Sequence, residues 1–222
     1  MPVRLPLFPL TAVLYPGTTL PLHIFEPRYR QLVANCLASD AAFGILRPGV
    51  EREAVPPGTV GCVATIRAHD LLADGCSNIL VVGEKRFTVE RVVECNDPYL
   101  VAIVEEFGDR VVDDRHPDTI ELERLFHAYV DAICLLQDAE QPEIALSHEA
   151  GILTFQIAAS INPEAPLQIR LLKSRSVGER IELLTQWLLP KAADAKERAR
   201  VHHLARGNGR STRPYPPAQS QP

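Results

Sequence analysis

From Leu5 to Phe25 the chain runs for 21 residues without an aspartate, glutamate, lysine or arginine, yet it carries Pro6, Pro9, Pro16 and Pro21. Behind Arg4, an uncharged stretch of that length has the dimensions of a membrane anchor or a signal peptide. The prolines exclude both readings. Each removes a helical hydrogen bond, and an unsatisfied backbone group in lipid is costly. The segment is expected to be extended chain and tight turns, with Tyr15-Pro16-Gly17 as a turn and the prolines at edge-strand positions. No other window is long and apolar enough to span a bilayer, so no membrane partner and a cytoplasmic location are expected.

The 222 residues are 46% hydrophobic with a formal net charge of −5, which fits one or two folded domains. Intrinsic disorder would need far lower hydrophobicity, and a nucleic-acid binder driven by bulk charge would not be acidic. Lys191 to Arg213 holds seven Lys+Arg against two Asp+Glu, so that stretch is +5 and the remainder is −10. The five cysteines, Cys36, Cys62, Cys76, Cys95 and Cys134, form no Cys-x-x-Cys pair. They read as small buried hydrophobes in a reducing compartment, not as a disulfide framework or zinc site.

Tyr29, Leu32, Val33, Cys36 and Leu37 fall at helical spacing behind Pro27, which suits a first helical position. Thr59 to Ala68, Asn78 to Val82, Arg86 to Val93 and Tyr99 to Glu105 read as short strands, with Gly83 dividing the second from the third. Strands so spaced suit a small barrel, and the polar–apolar alternation from Arg86 to Val92 puts one face toward water. Eight acidic residues between Glu105 and Glu123 mark a solvated boundary. Beyond it, Leu122 to Leu136 keeps a 3.6-residue period, with Asp118 and Glu121 resembling a capping box. Further helices are expected over Ser147 to Ile161, over Leu167 to Lys173, and from a Ser176 cap to Pro190, which ends or kinks the last of them.

The blocks Leu5-Pro6-Leu7-Phe8-Pro9-Leu10, Tyr15-Pro16-Gly17 and Leu20-Pro21-Leu22-His23-Ile24-Phe25-Glu26-Pro27-Arg28-Tyr29 closely resemble the start of the Lon protease N-terminal domain family. The likeness continues through Phe43-Gly44-Ile45, Val60-Gly61-Cys62-Val63-Ala64, Gly83-Glu84-Lys85-Arg86-Phe87 and Pro98-Tyr99-Leu100-Val101-Ala102. It is weaker in the second half, where a Val-Gly-Glu-Arg-Ile-Glu-Leu-Leu block stands out. Where many relatives carry a basic residue after the Asp74-Gly75 turn, this chain has Cys76.

The resemblance implies an α+β fold, a PUA-like pseudo-barrel followed by a helical bundle. Residues 1–114 would form the barrel, 115–206 the bundle and 207–222 a disordered tail. It also implies a module that binds unfolded or extended polypeptide, or a protein partner. The motor and the peptidase of such a protease are not legible: no Gly-x-x-x-x-Gly-Lys-Ser/Thr loop occurs, no serine–lysine dyad segment, and 222 residues are expected to leave no room for the two domains together.

No cofactor is expected, and the other histidines lack metal-ligand spacing. The stretch holding His23, Glu26, Arg28 and Tyr29 is the first candidate surface. It reads either as a polar rim that receives a peptide or as a structural network in which Glu26 pairs with Arg28. Arg86, on the strand face opposite an inward Phe87, is a candidate surface anchor. RNA binding is the alternative, because PUA-like barrels also occur in RNA-modifying proteins, but the acidic body argues against it. A hydrolase ranks last, with no Gly-x-Ser-x-Gly elbow present. Oligomeric state stays open.

Overall fold

The computed structural model describes residues 2–39, 42–47, 55–110 and 118–208. Six strands, β1 (Val3–Pro9), β2 (Thr19–Ile24), β3 (Phe43–Leu46), β4 (Val60–Leu71), β5 (Ser77–Val93) and β6 (Leu100–Phe107), enclose a core with α1 (Pro27–Ser39) inserted after β2. Four more helices follow: α2 (Thr119–Gln137), α3 (Ala150–Ile161), α4 (Ala165–Lys173) and α5 (Val177–Asn208). The strand order is β2-β5-β4-β3-β1-β6, and β6 pairs back onto β5, so five strands close a ring with β2 appended outside it. Closure is possible because β5 is long and changes partners along one edge: Ser77 to Val82 pair with β2, and Arg86 to Val93 pair with β6. Bulges in the β4–β5 and β5–β6 ladders supply the curl.

From Leu5 to Phe8 both faces of β1 are covered, so this part of the strand carries no charge, whereas Arg4 at its start is exposed. Leu5 and Leu7 join a cluster with Phe87, Val89 and Val104. Phe8 joins a second cluster under α1, edge-on to Tyr29 at 4.1 Å and to Phe43 at 6.0 Å. The helical period of α1 buries Tyr29, Leu32, Val33 and Cys36 against this second cluster.

Several local expectations change. Gly83 does not divide two strands but lies inside β5, because the strand must pass against the Tyr15–Gly17 turn. The Gly83 N–H donates to the Thr18 carbonyl, and the Gly17 N–H donates to the Gly83 carbonyl, at 2.9 and 2.8 Å. A Cβ at Gly83 would fall on the Tyr15 carbonyl.

Pro21 is on the edge strand β2, as expected. Pro6 is not at an edge: β1 lies between β6 and β3, but β3 pairs only from Leu7 onward, so Pro6 meets no ladder on that side. Pro190 does not end its helix. α5 continues to Asn208, since the fixed φ of proline is itself helical and buried Leu188 and Ala192 flank the missing donor. Glu121 holds Arg124 bidentately at 2.8 and 2.5 Å. Ser176 does cap α5, its Oγ accepting the Glu179 N–H at 3.3 Å.

The chain groups into two compact units, one of residues 1–119 with 145–184 and one of 120–144 with 185–222. The expected division near residue 114 separates the strands from all later helices, whereas α3, α4 and the first turns of α5 group with the strands. Tyr15 shows why: its ring stacks on Phe155 of α3 at 5.6 Å, and its hydroxyl donates to the Gln168 carbonyl of α4 at 3.3 Å. In the second unit, Trp187 meets Tyr129 edge-on at 6.0 Å, and Ala132, Ala195 and Ala199 form a small buried cluster. Of the expected tail, residues 209–222 lie outside the described residues.

Candidate functional site

The junction of β2 and α1 brings four of the expected residues together. Ile24 ends β2 buried at 1% exposure, and the Glu26 carbonyl accepts the Tyr29 and Arg30 N–H groups, both at 3.0 Å, which starts α1. Two residues later the chain has turned, leaving Phe25 60% exposed at the corner. His23 stacks on Phe25 at 6.1 Å and shares a 2.8 Å hydrogen bond with Asn78 of β5. The Arg28 Nε donates to Glu26 Oε2 at 3.0 Å, and its guanidinium lies 4.7 Å over the Tyr29 ring. These side chains and Phe8, Leu10 and Leu22 line a cleft of about 320 Å³. Tyr29 is buried and forms wall, not rim. The Glu26–Arg28 pair is exposed enough that it fixes geometry more than it stabilises the fold.

Arg86 is not a surface anchor. It is 3% exposed, and the reading of its strand face was half right: it does point away from Phe87, but toward protein instead of water. Its Nη1 donates to the carbonyls of Leu172 and Ser174, and its Nη2 donates to Asp109 Oδ1 at 2.5 Å. Arg180, fully buried, donates from both Nη atoms to the two oxygens of Asp109 at 2.7 Å and from Nε to Thr154 Oγ1 at 2.9 Å. Phe155 lies against both guanidiniums, 5.1 Å from Arg86 and 4.2 Å from Arg180. Gly151 leaves room for the carboxylate, since a Cβ there would come within 3.2 Å of Asp109 Oδ2.

Burial pushes the Asp109 carboxyl up, but hydrogen bonds and charge from Arg180 and Arg86 outweigh it and hold the group below the ordinary aspartate range. Burial and then the like charge of Arg180 lower Arg86, against the pull of Asp109. The sequence does carry a signal for Arg180: it lies on the same 3.6-residue stripe as the buried Val177, Ile181, Leu184 and Leu188.

A cavity of about 210 Å³ borders this cluster, but most of its charged lining is committed: Lys85 to Glu106 and Glu84 to Arg67, each at 2.9 Å, and Arg86 to Asp109. Among the described residues, no three or more His, Cys, Asp or Glu are grouped to hold a metal, and no helix is long and apolar enough to cross a membrane. Burial pushes the Cys36 thiol up to about 11 and Cys62 to about 12, which makes both poor nucleophiles at neutral pH.

A closed strand ring with an appended edge strand, backed by helices and opening an apolar cleft at one corner, defines an α+β pseudo-barrel domain. The model of the ATP-dependent protease La (LON) substrate-binding domain matches residues 4–189, and the chain belongs to that family. A Lon protease of Cytophaga hutchinsonii is 27% identical over 83% of this chain, and one of Xanthomonas oryzae 30% over 81%. The chain spans 24% and 22% of the lengths of those two relatives. The crystal structure of a Lon N-terminal domain protein from Xanthomonas campestris, 25% identical, superposes with a TM-score of 0.64 over 83% of this chain and 98% of that one. The N-terminal domain of a Mycobacterium avium complex Lon protease, 16% identical with a TM-score of 0.59 over 84% of this chain and 98% of that one, shares the fold. What is matched is the substrate-binding region, and not a motor or a peptidase.

Proposed function

We propose that this chain is a non-catalytic polypeptide-recognition module, and that extended or unfolded segments dock in the cleft between β2 and the start of α1. The observation that carries the reading is Phe25, a large aromatic held in water at the mouth of an apolar cleft beside the ring's appended edge strand. An edge strand offers unpaired backbone groups to an extended chain, and an adjoining apolar pocket offers side-chain selectivity. His23, Glu26 and Arg28 supply the polar rim. Arg86, being buried, takes no part.

The test follows fluorescence anisotropy of a labelled, reduced and carboxymethylated polypeptide that cannot fold. Phe25→Asp is expected to weaken binding about tenfold, as loss of an aromatic anchor does. Because Phe25 is exposed, the variant should melt as the wild type does. Unchanged affinity in Phe25→Asp, or no binding by the wild type at about 100 μM, would remove the proposal.

A further inference from the structure

A different flank of α1 walls a second groove, of about 580 Å³, whose opposite wall is the β4–β5 hairpin. Arg30, Ala34 and Leu37 stand across it from His69, Leu71 and Gly75. Three independent features meet there. First, β3 pairs with β4 only from Gly61 to Ala64. Beyond Ala64, β4 has β5 on one edge and, among the described residues, no strand on the other, so its backbone there is open to a further strand. Second, Leu71 is 68% and Leu37 is 45% exposed, an apolar pair facing water on opposite walls.

Third, Arg30 has no carboxylate partner among the described residues. Its guanidinium rests on Gly75, a turn glycine with φ +79° where any Cβ would collide with it. The nearby Asp74 is committed elsewhere, accepting the Cys76 N–H at 2.9 Å. Among the described residues, Arg30 is thus the one full charge lining the groove.

An open strand edge, two facing leucines and an unmatched guanidinium select a specific chemistry: an extended segment that places a carboxylate on Arg30 and an apolar side chain between Leu37 and Leu71. We propose that the groove between α1 and the β4–β5 hairpin is a docking site for an acidic, apolar peptide segment of a partner protein, separate from the cleft at β2. The module then holds two chains at once, with α1 as the common wall.

A fluorescein-labelled decapeptide alternating leucine and glutamate serves as the probe, and the same peptide with glutamine in place of glutamate is its control. Arg30→Glu is expected to weaken anisotropy-detected binding about tenfold, and Arg30→Lys about threefold, because lysine keeps the charge and loses the planar fork. Added salt weakens the complex, the glutamine peptide binds less, and Phe25→Asp leaves the affinity unchanged. Arg30 is exposed, so both of its variants should unfold at the wild-type temperature. Equal binding by Arg30→Glu, equal binding of the glutamine peptide, loss in Phe25→Asp in place of Arg30→Glu, or no wild-type complex at about 1 mM would each overturn the proposal.

Discussion

Asparagine in place of Asp109 is expected to destabilise the fold by about 3–5 kcal/mol, read as a lower urea midpoint with an unchanged slope. The carboxylate is the counter-charge of two buried guanidiniums, Arg86 at 2.5 Å and Arg180 at 2.7 Å. Removing it leaves both cations desolvated and unpaired, which costs far more than an exposed pair is worth. Arg86 comes from β5 and Arg180 from α5, while Asp109 follows β6, so the same change loosens the helices of the first unit from the strand ring. Replacing all three charges with apolar residues of similar volume, Asp109→Leu with Arg86→Met and Arg180→Met, is expected to recover much of the loss. If Asp109→Asn unfolds within about 1 kcal/mol of wild type, the cluster does not hold the fold.

The same cluster gives a pH dependence with a definite sign. The folded Asp109 carboxyl titrates below its unfolded value of about 3.9. Its stabilisation is therefore complete above that pH and is withdrawn as the pH falls from there through the folded value. Urea unfolding between about pH 2.5 and pH 7 should show wild-type stability dropping on the acid limb. Asp109→Asn, already without the charge, should show a shallower drop.

Alanine at Gly83 is expected to cost about 2–3 kcal/mol, measured by thermal melting. The added methyl meets the backbone carbonyl of Tyr15 and comes within 3.1 Å of Cys62 Sγ, and neither a turn backbone nor a packed strand yields easily. Displacing Tyr15 also disturbs its stacking on Phe155 and its hydrogen bond to Gln168. Gly58→Ala is the contrasting variant, which has a conformational penalty without a steric one. Unlike Gly83, it lies in a turn, with φ +83° but nothing within 4 Å of a new Cβ, so it should cost only the conformational penalty, about 1 kcal/mol. A loss at Gly83 no larger than that at Gly58 would mean that the strand–turn contact yields to a side chain and does not require glycine.

Much of the architecture is legible along the chain because it depends on neighbours in sequence. Proline spacing excludes a membrane helix over Leu5 to Phe25, and the apolar period of Tyr29 to Cys36 marks α1. The β-branched and aromatic runs mark the strands, though without showing that two of them are one strand bent past Gly83. The cleft at β2 was legible for the same reason: His23, Glu26, Arg28 and Tyr29 lie within seven residues, so the turn that joins β2 to α1 must bring them together. Its apolar floor was not, since Phe8 arrives from β1 and Leu10 from the residue that follows it.

The chain by itself thus determined the element types, the exclusion of a membrane helix over Leu5 to Phe25, and the family. Only the tertiary structure decided the fate of Arg86. Alternation correctly put it opposite Phe87, but whether that face meets water depends on Asp109, 23 positions away, and on Leu172 and Ser174, 86 and 88 positions away. It likewise decided that Arg180, 71 positions from Asp109, completes the pair, and that the unmatched Arg30 faces an open strand edge. Backbone preference and hydrophobic period are local properties, whereas the burial and pairing of a charge depend on where distant segments of the chain come to rest.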